Sequence, residues 1–550
     1  MPKTATIPVE IPSRGMSTRY SLAKMPPQFS PYIQNYEVGP GFLESREGTR
    51  RLFNASRNFI SAMAANPANV NELVHLDLDT LGGYDVEGYN IVTGARGSTI
   101  ALSGTGLAGT KVSNQAQALG FAGNVIFFNR GITPFIFNGT TNTVLNVTGP
   151  TLANVVGGTT HNSQLYVFEH ERSSVWFRDS PGAFTGALTE YDISVITKDN
   201  GLILCAFSFT LSSGDQSQNL FCIVTDSGEA FVFSGVDPAD SSWALVGRSQ
   251  IGTPIGYQSF IEANGDVFVM TRSGIISMRA LYTSASRDLF ESNITFEIQK
   301  YWNQLIRDTL ADDAATNYDP RTSLLSFFSG VYHAGKNKLL VFCPRRLAPV
   351  AISAGKVGYE LQDEVCALVY DFSAQAWTVF NLPTLTTTGL EFLQGISTYY
   401  SARHDTCIFA TIAVDDESAY QIFDTGLNCD TLFESEDPET PSITADVLCE
   451  LHTAPINIGT KQRVSDVRIT HSGDAEVKSS TQVELVAELG GSYNSFAQNS
   501  LSDGISRDIY NIGIDGHLVN ARIKSTLSTS DTERHSLVEI EFGSEPGNEI

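Results

Sequence analysis

The most chemistry-capable cluster in this chain lies around Trp176. Glu169 and Glu171 precede that tryptophan, and Arg178 and Asp179 follow it. Two carboxylates facing each other across a sugar could serve as acid and base in glycoside hydrolysis. Charges at a strand edge beside an aromatic are more ordinarily surface pairs. His75, His161 and His170 show no evident sequence partners, and nine histidines without a spaced pair give no metal-site pattern. The chain contains no Gly-x-Ser-x-Gly elbow, no His-Glu-x-x-His, no phosphate loop and no Gly-x-Gly-x-x-Gly opening a helix. The sialidase-type Asp box, Ser-x-Asp-x-Gly-x-x-Trp, is also missing. These readings assign no catalytic, cofactor-binding or metal-ligating residue, and the expectation is a protein that is not an enzyme.

The elements around Trp176 carry more information than the charges. Leu165–Asp179 reads as two alternating strands and a tight turn. The same phrase returns at Val125–Asn138, Leu220–Gly235, Val267–Met278, Val365–Phe380 and Cys407–Phe423, with a weaker copy at Tyr89–Leu102 turning at Arg96-Gly97. A lone hairpin cannot bury its apolar face. Six or seven of them, at repeats of about 40–50 residues, point to a β-propeller. A large β-sandwich, or two unrelated β-domains, is the plainer alternative.

Three segments are expected. Residues 1–55 form an extended arm rich in proline, ending in a basic stretch with Arg46, Arg50 and Arg51, with which Arg57 just beyond it can be counted. That stretch is either a contact with a partner chain or a solvated hairpin edge. Residues 56–427 form the propeller, with a helix-containing insertion near 283–356. Within it, Ser286–Thr309 places Leu289, Phe290, Phe296, Ile298, Tyr301, Trp302, Leu305 and Ile306 at helical spacing, with Ser286 at the N-terminus. A strand pair follows at Leu324–Phe328 and Lys338–Phe342, and Pro344–Lys356 reads as a loop. Residues 428–550 form a β-rich, sandwich-like domain. Its acidic opening, Asn428–Pro441, reads as a linker. Strands are expected at Asp446–Leu451, Val464–Thr470, Thr481–Leu489, Leu518–Ser525 and Leu537–Phe542.

Composition narrows the class. The chain has 550 residues, 42% hydrophobic and 17% charged, which suits a β-rich globular protein. No apolar run is long enough to span a membrane, and the N-terminus lacks the apolar core of a secretion signal, so secretion through a signal peptide is not expected. Seven cysteines, without a Cys-x-x-Cys, read as reduced core residues. The sequons at Asn54, Asn138, Asn146 and Asn293 read as chance in that context. A formal charge of −25 argues against a surface that grips nucleic acid. It fits a self-repelling surface, or a wall past which a polyanion slides.

The layout resembles the tail nozzle proteins of short-tailed (podovirus-type) phages, also called tail tubular protein B or packaged-DNA stabilisation proteins. The resemblance is carried by Pro40-Gly41-Phe42-Leu43-Glu44-Ser45-Arg46-Glu47-Gly48-Thr49-Arg50-Arg51-Leu52 and by Thr160–Val167 followed by Val175–Asp179. Ile251-Gly252-Thr253-Pro254 leading to Gly265–Val269 and Ser273-Gly274, the helix with Tyr301-Trp302, and Val519-Asn520-Ala521-Arg522-Ile523 complete it. It covers most of the chain as layout. It implies a structural virion protein of the phage tail: a propeller assembling as a hexameric ring below portal and adaptor, the head-tail connector. Such a ring extends the DNA channel, retains the genome, opens for ejection and carries tail fibres or spikes. Double-stranded DNA would pass without sequence-specific binding. Long segments such as Met1–Asn54, Ala311–Pro320 and Pro344–Lys356 suit a ring protein. A carbohydrate-binding or glycan-cleaving propeller is the alternative.

Overall fold

The computed structural model describes residues 5–54, 59–78, 84–95, 97, 100–101, 116–213, 216–284, 289–311, 324–352, 356–362, 364–382, 395–412, 418–424, 430–432, 443–445, 447–457, 462–472, 480–487, 495–497, 506–515, 518–527 and 534–546. The chain is all-β: a propeller with a helical insertion, joined to a two-sheet sandwich.

All six strong hairpins form as expected. Of the weak copy, Tyr89 and Asn90 end one strand of a further sheet, and Ile100 and Ala101 pair with Val86 and Asp85 of that strand, upstream of the copy, while Arg96 of its turn lies outside the described residues. Blade 1 is Phe59–Ala65, Glu72–Leu78, Tyr84–Asn90 and Ile100–Ala101. Blade 2 is Gln117–Phe121, Asn124–Asn129, Ile132–Phe137 and Asn142–Val144. Blade 3 is Val155–His161, Gln164–Glu169, Ser174–Phe177 and Thr189–Asp192. Blade 4 is Ile203–Ser213, Gln216–Thr225, Glu229–Ser234 and Ala244–Gln250. Blade 5 has three strands, Phe260–Ala263, Asp266–Thr271 and Gly274–Ser277. Blade 6 is Ser329–His333, Lys338–Cys343, Cys366–Asp371 and Ala376–Asn381. Blade 7 is Gly395–Ser401, Thr406–Ile412 and Ser418–Asp424, completed by Gly48–Asn54 from the arm.

The ring closes. The inner part of each blade touches the next, and the first strand of blade 7 packs on the first strand of blade 1. Aromatic and aliphatic side chains fill the spaces between blades. Tyr166, Phe177, Phe221 and Phe233 pack between blades 3 and 4, for example, and Phe342, Phe380 and Phe409 between blades 6 and 7. Burial of this apolar area is the driving force that a single hairpin lacks. Turn chemistry is local and exacting at Gly228. Its φ of +82° is a left-handed conformation, and a Cβ there would stand 2.5 Å from the Gly252 backbone.

In blade 5 the place of a fourth strand goes to the insertion. Asn293 forms a lone antiparallel bridge with Ile276, and Ile294 N–H donates to Ile275 O at 3.0 Å. The helical stretch foreseen over Ser286–Thr309 is broken here. α1 is Met278–Thr283, α2 is Leu289–Ser292 and α3 is Gln299–Ala311. The break has a side-chain cause. Asn293 Oδ1 accepts from Thr295 N–H at 2.9 Å and from its hydroxyl at 2.6 Å, and Thr295 Oγ1 accepts from Ile275 N–H at 3.2 Å. These bonds offer the backbone an alternative to the helix. The expected N-terminus at Ser286 lies outside the described residues. Leu289 and Phe290, foreseen on the apolar face, are exposed, whereas Tyr301, Trp302, Leu305 and Ile306 are buried.

Two further expectations are corrected. Leu324–Phe327 is a 3-10 turn, and the strand pairing with Lys338–Cys343 is Ser329–His333. The loop foreseen at Pro344–Lys356 is largely a hairpin, Arg346–Ile352 with Lys356–Gln362. Tyr301 OH donates to Leu347 O at 3.0 Å, and Tyr359 OH donates to Pro31 O at 2.7 Å, so the hairpin is held against α3 and the arm.

The arm runs through both domains. Tyr32–Gln34 sits between the last strand of blade 6 and Val447–His452, making blade 6 continuous with one sandwich sheet. That sheet goes on through Leu518–Leu527, Gln482–Ala487 and Ser495–Ala497. The second sandwich sheet holds Tyr36–Gly39, Phe42–Ser45, Ser536–Pro546, Gln462–Ser472 and Ser506–Asp515, with Ala5–Val9 on Ser536–Pro546. Each of the five C-terminal strands foreseen from alternation is present. Their inward residues, among them Val467, Ile469, Val483, Leu485, Ile523 and Ile540, form one core.

The basic stretch that ends the arm faces inward at Arg46, which is completely buried. Its guanidinium meets Asp430 end-on, Nη1 to Oδ1 at 2.9 Å and Nη2 to Oδ2 at 2.6 Å, and Nε donates to Asn35 Oδ1 at 2.9 Å. Thr49 N–H and hydroxyl donate to Asp430 Oδ1 at 2.8 and 2.7 Å. Asp430 belongs to the acidic stretch read as a linker, yet it is buried. Arg50 pairs with Asp424 at 2.8 Å on the surface side, and Arg57 lies outside the described residues. Breaking a buried ion pair from one side leaves an uncompensated charge. Asp430→Ala is therefore expected to destabilise the chain by about 3–5 kcal/mol, read from urea unfolding. The paired replacement Arg46→Met with Asp430→Leu is expected to recover most of that loss.

Candidate functional site

Propeller inner strands converge on an axis, so the axis and its mouths are where side chains from several blades can act together. The axial cavity has a volume of ≈ 150 Å³. Ser61 and Met63 of blade 1, Ala118 of blade 2, Gln258 and Phe260 at blade 5, Ser329 of blade 6 and Thr398 of blade 7 line it. No described lining residue carries a charge. The hydroxyls bind one another and the backbone: Ser329 Oγ lies 2.9 Å from Thr398 Oγ1, which donates to Gly330 O at 3.2 Å.

The carboxylates around Trp176 are not arranged as an acid–base pair. Glu169, foreseen as a surface charge, is buried. Its Oε2 accepts from the Trp176 indole N–H at 2.7 Å, and its Oε1 accepts from Thr151 N–H at 2.9 Å. Glu171 sits in the adjoining turn with φ +55° and an exposed side chain, and Asp179 is likewise exposed. Arg178 donates to Ala187 O at 2.7 Å. The cluster ties blade 3 to the preceding loop. The histidines without evident sequence partners all have partners in space. His75 Nδ1 lies 2.5 Å from Asp77, His161 meets Ser208 Oγ at 2.9 Å and Gly235 O at 3.1 Å, and His170 meets the Tyr257 hydroxyl. Burial pushes the His161 pKa down. Six of the seven cysteines are free and buried, and Cys429 lies outside the described residues. Among the described residues no three His, Cys, Asp or Glu side chains form a metal cluster. No helix among them is long and apolar enough to cross a membrane.

The densest electrostatics lie where the propeller meets the sandwich. Lys338 of blade 6 reaches Glu37 of the arm at 2.5 Å and Asp371 at 3.8 Å. Arg534, just before the last strand, reaches Glu37 at 2.7 Å, Glu44 at 3.1 Å and Glu47 at 3.7 Å. Lys336 reaches Glu47 at 2.7 Å, and its ammonium stands 4.9 Å from the centre of the Phe423 ring in blade 7. Burial alone would raise the Glu37 pKa. Lys338, Arg534 and Lys336 outweigh it and hold the carboxyl at about 2. A second knot lies in the sandwich sheet, where Glu450 meets His452 at 2.7 Å and Arg522 at 2.5 Å. Burial works against that carboxylate too, but His452 and Arg522 hold it at about 2.

Sequence reading missed both knots. Glu37, Lys338 and Arg534 are hundreds of residues apart, and no local pattern links them.

A carboxyl held below its ordinary value of 4.5 stabilises the fold only while ionised. The contribution is present above pH 4.5 and is lost as pH falls toward 2. Wild-type stability is expected to drop through that window, by up to about 3 kcal/mol for Glu37. Glu37→Gln should start less stable at pH 7 and show a shallower fall, as read from thermal unfolding at pH 7, 4 and 3.

No family model matches the chain, and no curated protein matches it. Among solved structures the chain is similar to the β-propeller domain of Myceliophteria thermophila Cps50 (Swd1), at 9% identity and a TM-score of 0.38, over 67% of this chain and 98% of that one. It is similar to the BP39L lectin of Burkholderia pseudomallei at 14% identity and a TM-score of 0.40, over 67% and 97%. For Chaetomium thermophilum Raptor the figures are 9% and 0.37, with 69% of this chain matching; the chain spans only 28% of that protein's length. At these values the likenesses carry no functional argument. The propeller assignment rests on the order in which the blades close, and the chain is a β-propeller, with seven blades among the described residues, joined through its N-terminal arm to a β-sandwich.

Proposed function

We propose that this chain is a structural protein of a short-tailed phage virion, the tail nozzle, assembling as a hexameric ring below the portal and adaptor. The observation that carries the reading is the path of the arm. Its strands belong to the sandwich, its last strand completes the propeller, and a buried ion pair holds the junction. A ring that retains a packaged genome bears load, and a domain pair stitched by one segment cannot swing apart without breaking sheets in both halves.

In this reading the chain works by shape and charge, without covalent chemistry. The propeller axis is too narrow for a duplex: a cavity of ≈ 150 Å³ holds a handful of waters. The DNA path would lie between copies, at the centre of the ring. A chain of formal charge −25 would line that path with a repelling wall, so double-stranded DNA slides without sticking. Adaptor and tail fibres or spikes would dock on the outer surfaces of the ring.

Native mass spectrometry with negative-stain imaging tests the proposal. The expected result is a ring of about six copies with a central hole, and no tight duplex binding at low salt. A chain that stays monomeric at every concentration and binds or cleaves glycans on an array would overturn it. Tight duplex binding by the ring at low salt would remove the repelling-wall part alone.

A further inference from the structure

One mouth of the propeller axis holds a carboxylate that no described residue pairs with. Gln258 and Phe260 line the axial cavity, and Glu262 follows at the same alternation on the same inner strand. Glu262 lines a second cavity of ≈ 320 Å³, between the inner strand of blade 4, the first turn of blade 5 and Tyr332 of blade 6. That volume is at the lower end of the roughly 300–1,000 Å³ typical of small-molecule clefts.

The other polar side chains of this mouth are engaged. Ser208 Oγ donates to Thr160 O at 2.9 Å, and Thr210 Oγ1 donates to Asn219 Oδ1 at 2.9 Å. The Tyr332 hydroxyl lies 2.9 Å from Oδ1 of both Asn264 and Asn337. Asp266 accepts from the Ser277 hydroxyl at 2.5 Å and from two backbone N–H groups, those of Val267 and Arg279. Thr210 N–H donates to Gly265 O at 3.3 Å, which pins the blade 5 turn against blade 4. Among the described residues Glu262 forms neither a hydrogen bond nor an ion pair. Its side chain is exposed at the cavity, and the protein around it pushes its carboxyl pKa up.

We propose that this mouth is a binding site for a small primary amine, whose ammonium group Glu262 receives. What the site offers is an exposed carboxylate with no partner among the described residues, which a positive charge with N–H donors complements. An ammonium supplies both, and the rim is already braced to receive it. A bare divalent cation fits less well, since such ions take six or more oxygens and the Asp266 carboxylate already accepts from three donors. A neutral polyol would supply donors but no charge.

The test uses the full chain and putrescine as the probe, at physiological salt so that diffuse attraction to an acidic protein is screened. Isothermal titration or ligand-observed NMR should show saturable binding of one putrescine per chain. Glu262→Gln should weaken it at least about tenfold without lowering the melting temperature, because the side chain bonds no described residue and its charge is disfavoured in the fold. Thr210→Lys, which offers an ammonium from the chain itself, should abolish binding. Saturable binding that survives Glu262→Gln, equal binding of butanediol, or no saturable binding at all would each overturn the proposal.

Discussion

A fully buried guanidinium decides how this molecule holds together. Arg46 has no water to solvate it, so everything around it must serve as its solvent. Asp430 supplies the opposite charge, and Asn35, Asn381 and the Glu47 carbonyl take the remaining N–H groups. Those partners come from the arm, from the last strand of blade 6 and from the segment following blade 7. If any of the three moved, a charge would stand in a low-dielectric interior without compensation. The geometry therefore fixes three distant pieces of chain in one arrangement. Such a pair is a poor source of net stability compared with apolar packing, but it tolerates few alternatives, and its role here is to specify where the arm goes.

The knot of Glu37, Lys338 and Arg534 extends the same constraint over the rest of the joint. Blade 6 has no free outer edge, because Tyr32–Gln34 covers it and continues the sheet into the sandwich. Backbone pairing, apolar core and charge network all cross the joint together. The two halves share a sheet, which is a stiffer relation than two domains resting against each other.

Sequence reading reached the fold class because period-two alternation is local. Each hairpin, such as Leu165–Asp179, announces itself within 15 residues, and the C-terminal strands do the same. What it could not reach was pairing between distant segments. Blade 1 was half hidden, since Glu72–Leu78, ELVHLDL, puts charged residues among its apolar ones, with Asp77 buried against His75. Blade 7 was incomplete to a reader who kept the arm separate, because its fourth strand lies more than 360 residues upstream of its third. The helix was read as longer than it is because Leu289, Phe290, Phe296 and Ile298 continue the apolar spacing of Tyr301–Ile306, while the break between them is made by Asn293 and Thr295, whose bonds to each other and to Ile275 no apolar pattern shows. Asp430 looked like one more acid in a linker, and Arg46 like one more surface cation. Glu262 carried no signal, since a lone carboxylate in a strand gains meaning only from which way the strand faces.

Closing the ring with its first strand has a consequence for how the molecule is made. Asn54 pairs with Ser418, and Thr49 with Ile422. At ribosomal rates of about 5–20 residues per second, the closing strand waits roughly 20–70 s for its partner to be synthesised. During that interval Gly48–Asn54 is an unpaired strand edge, the kind of surface that invites pairing with other chains. It is also the segment with Arg50 and Arg51, two adjacent cations on a nascent chain. Charge at an open edge discourages sticking, and Arg50 and Arg51 place two such charges on this strand.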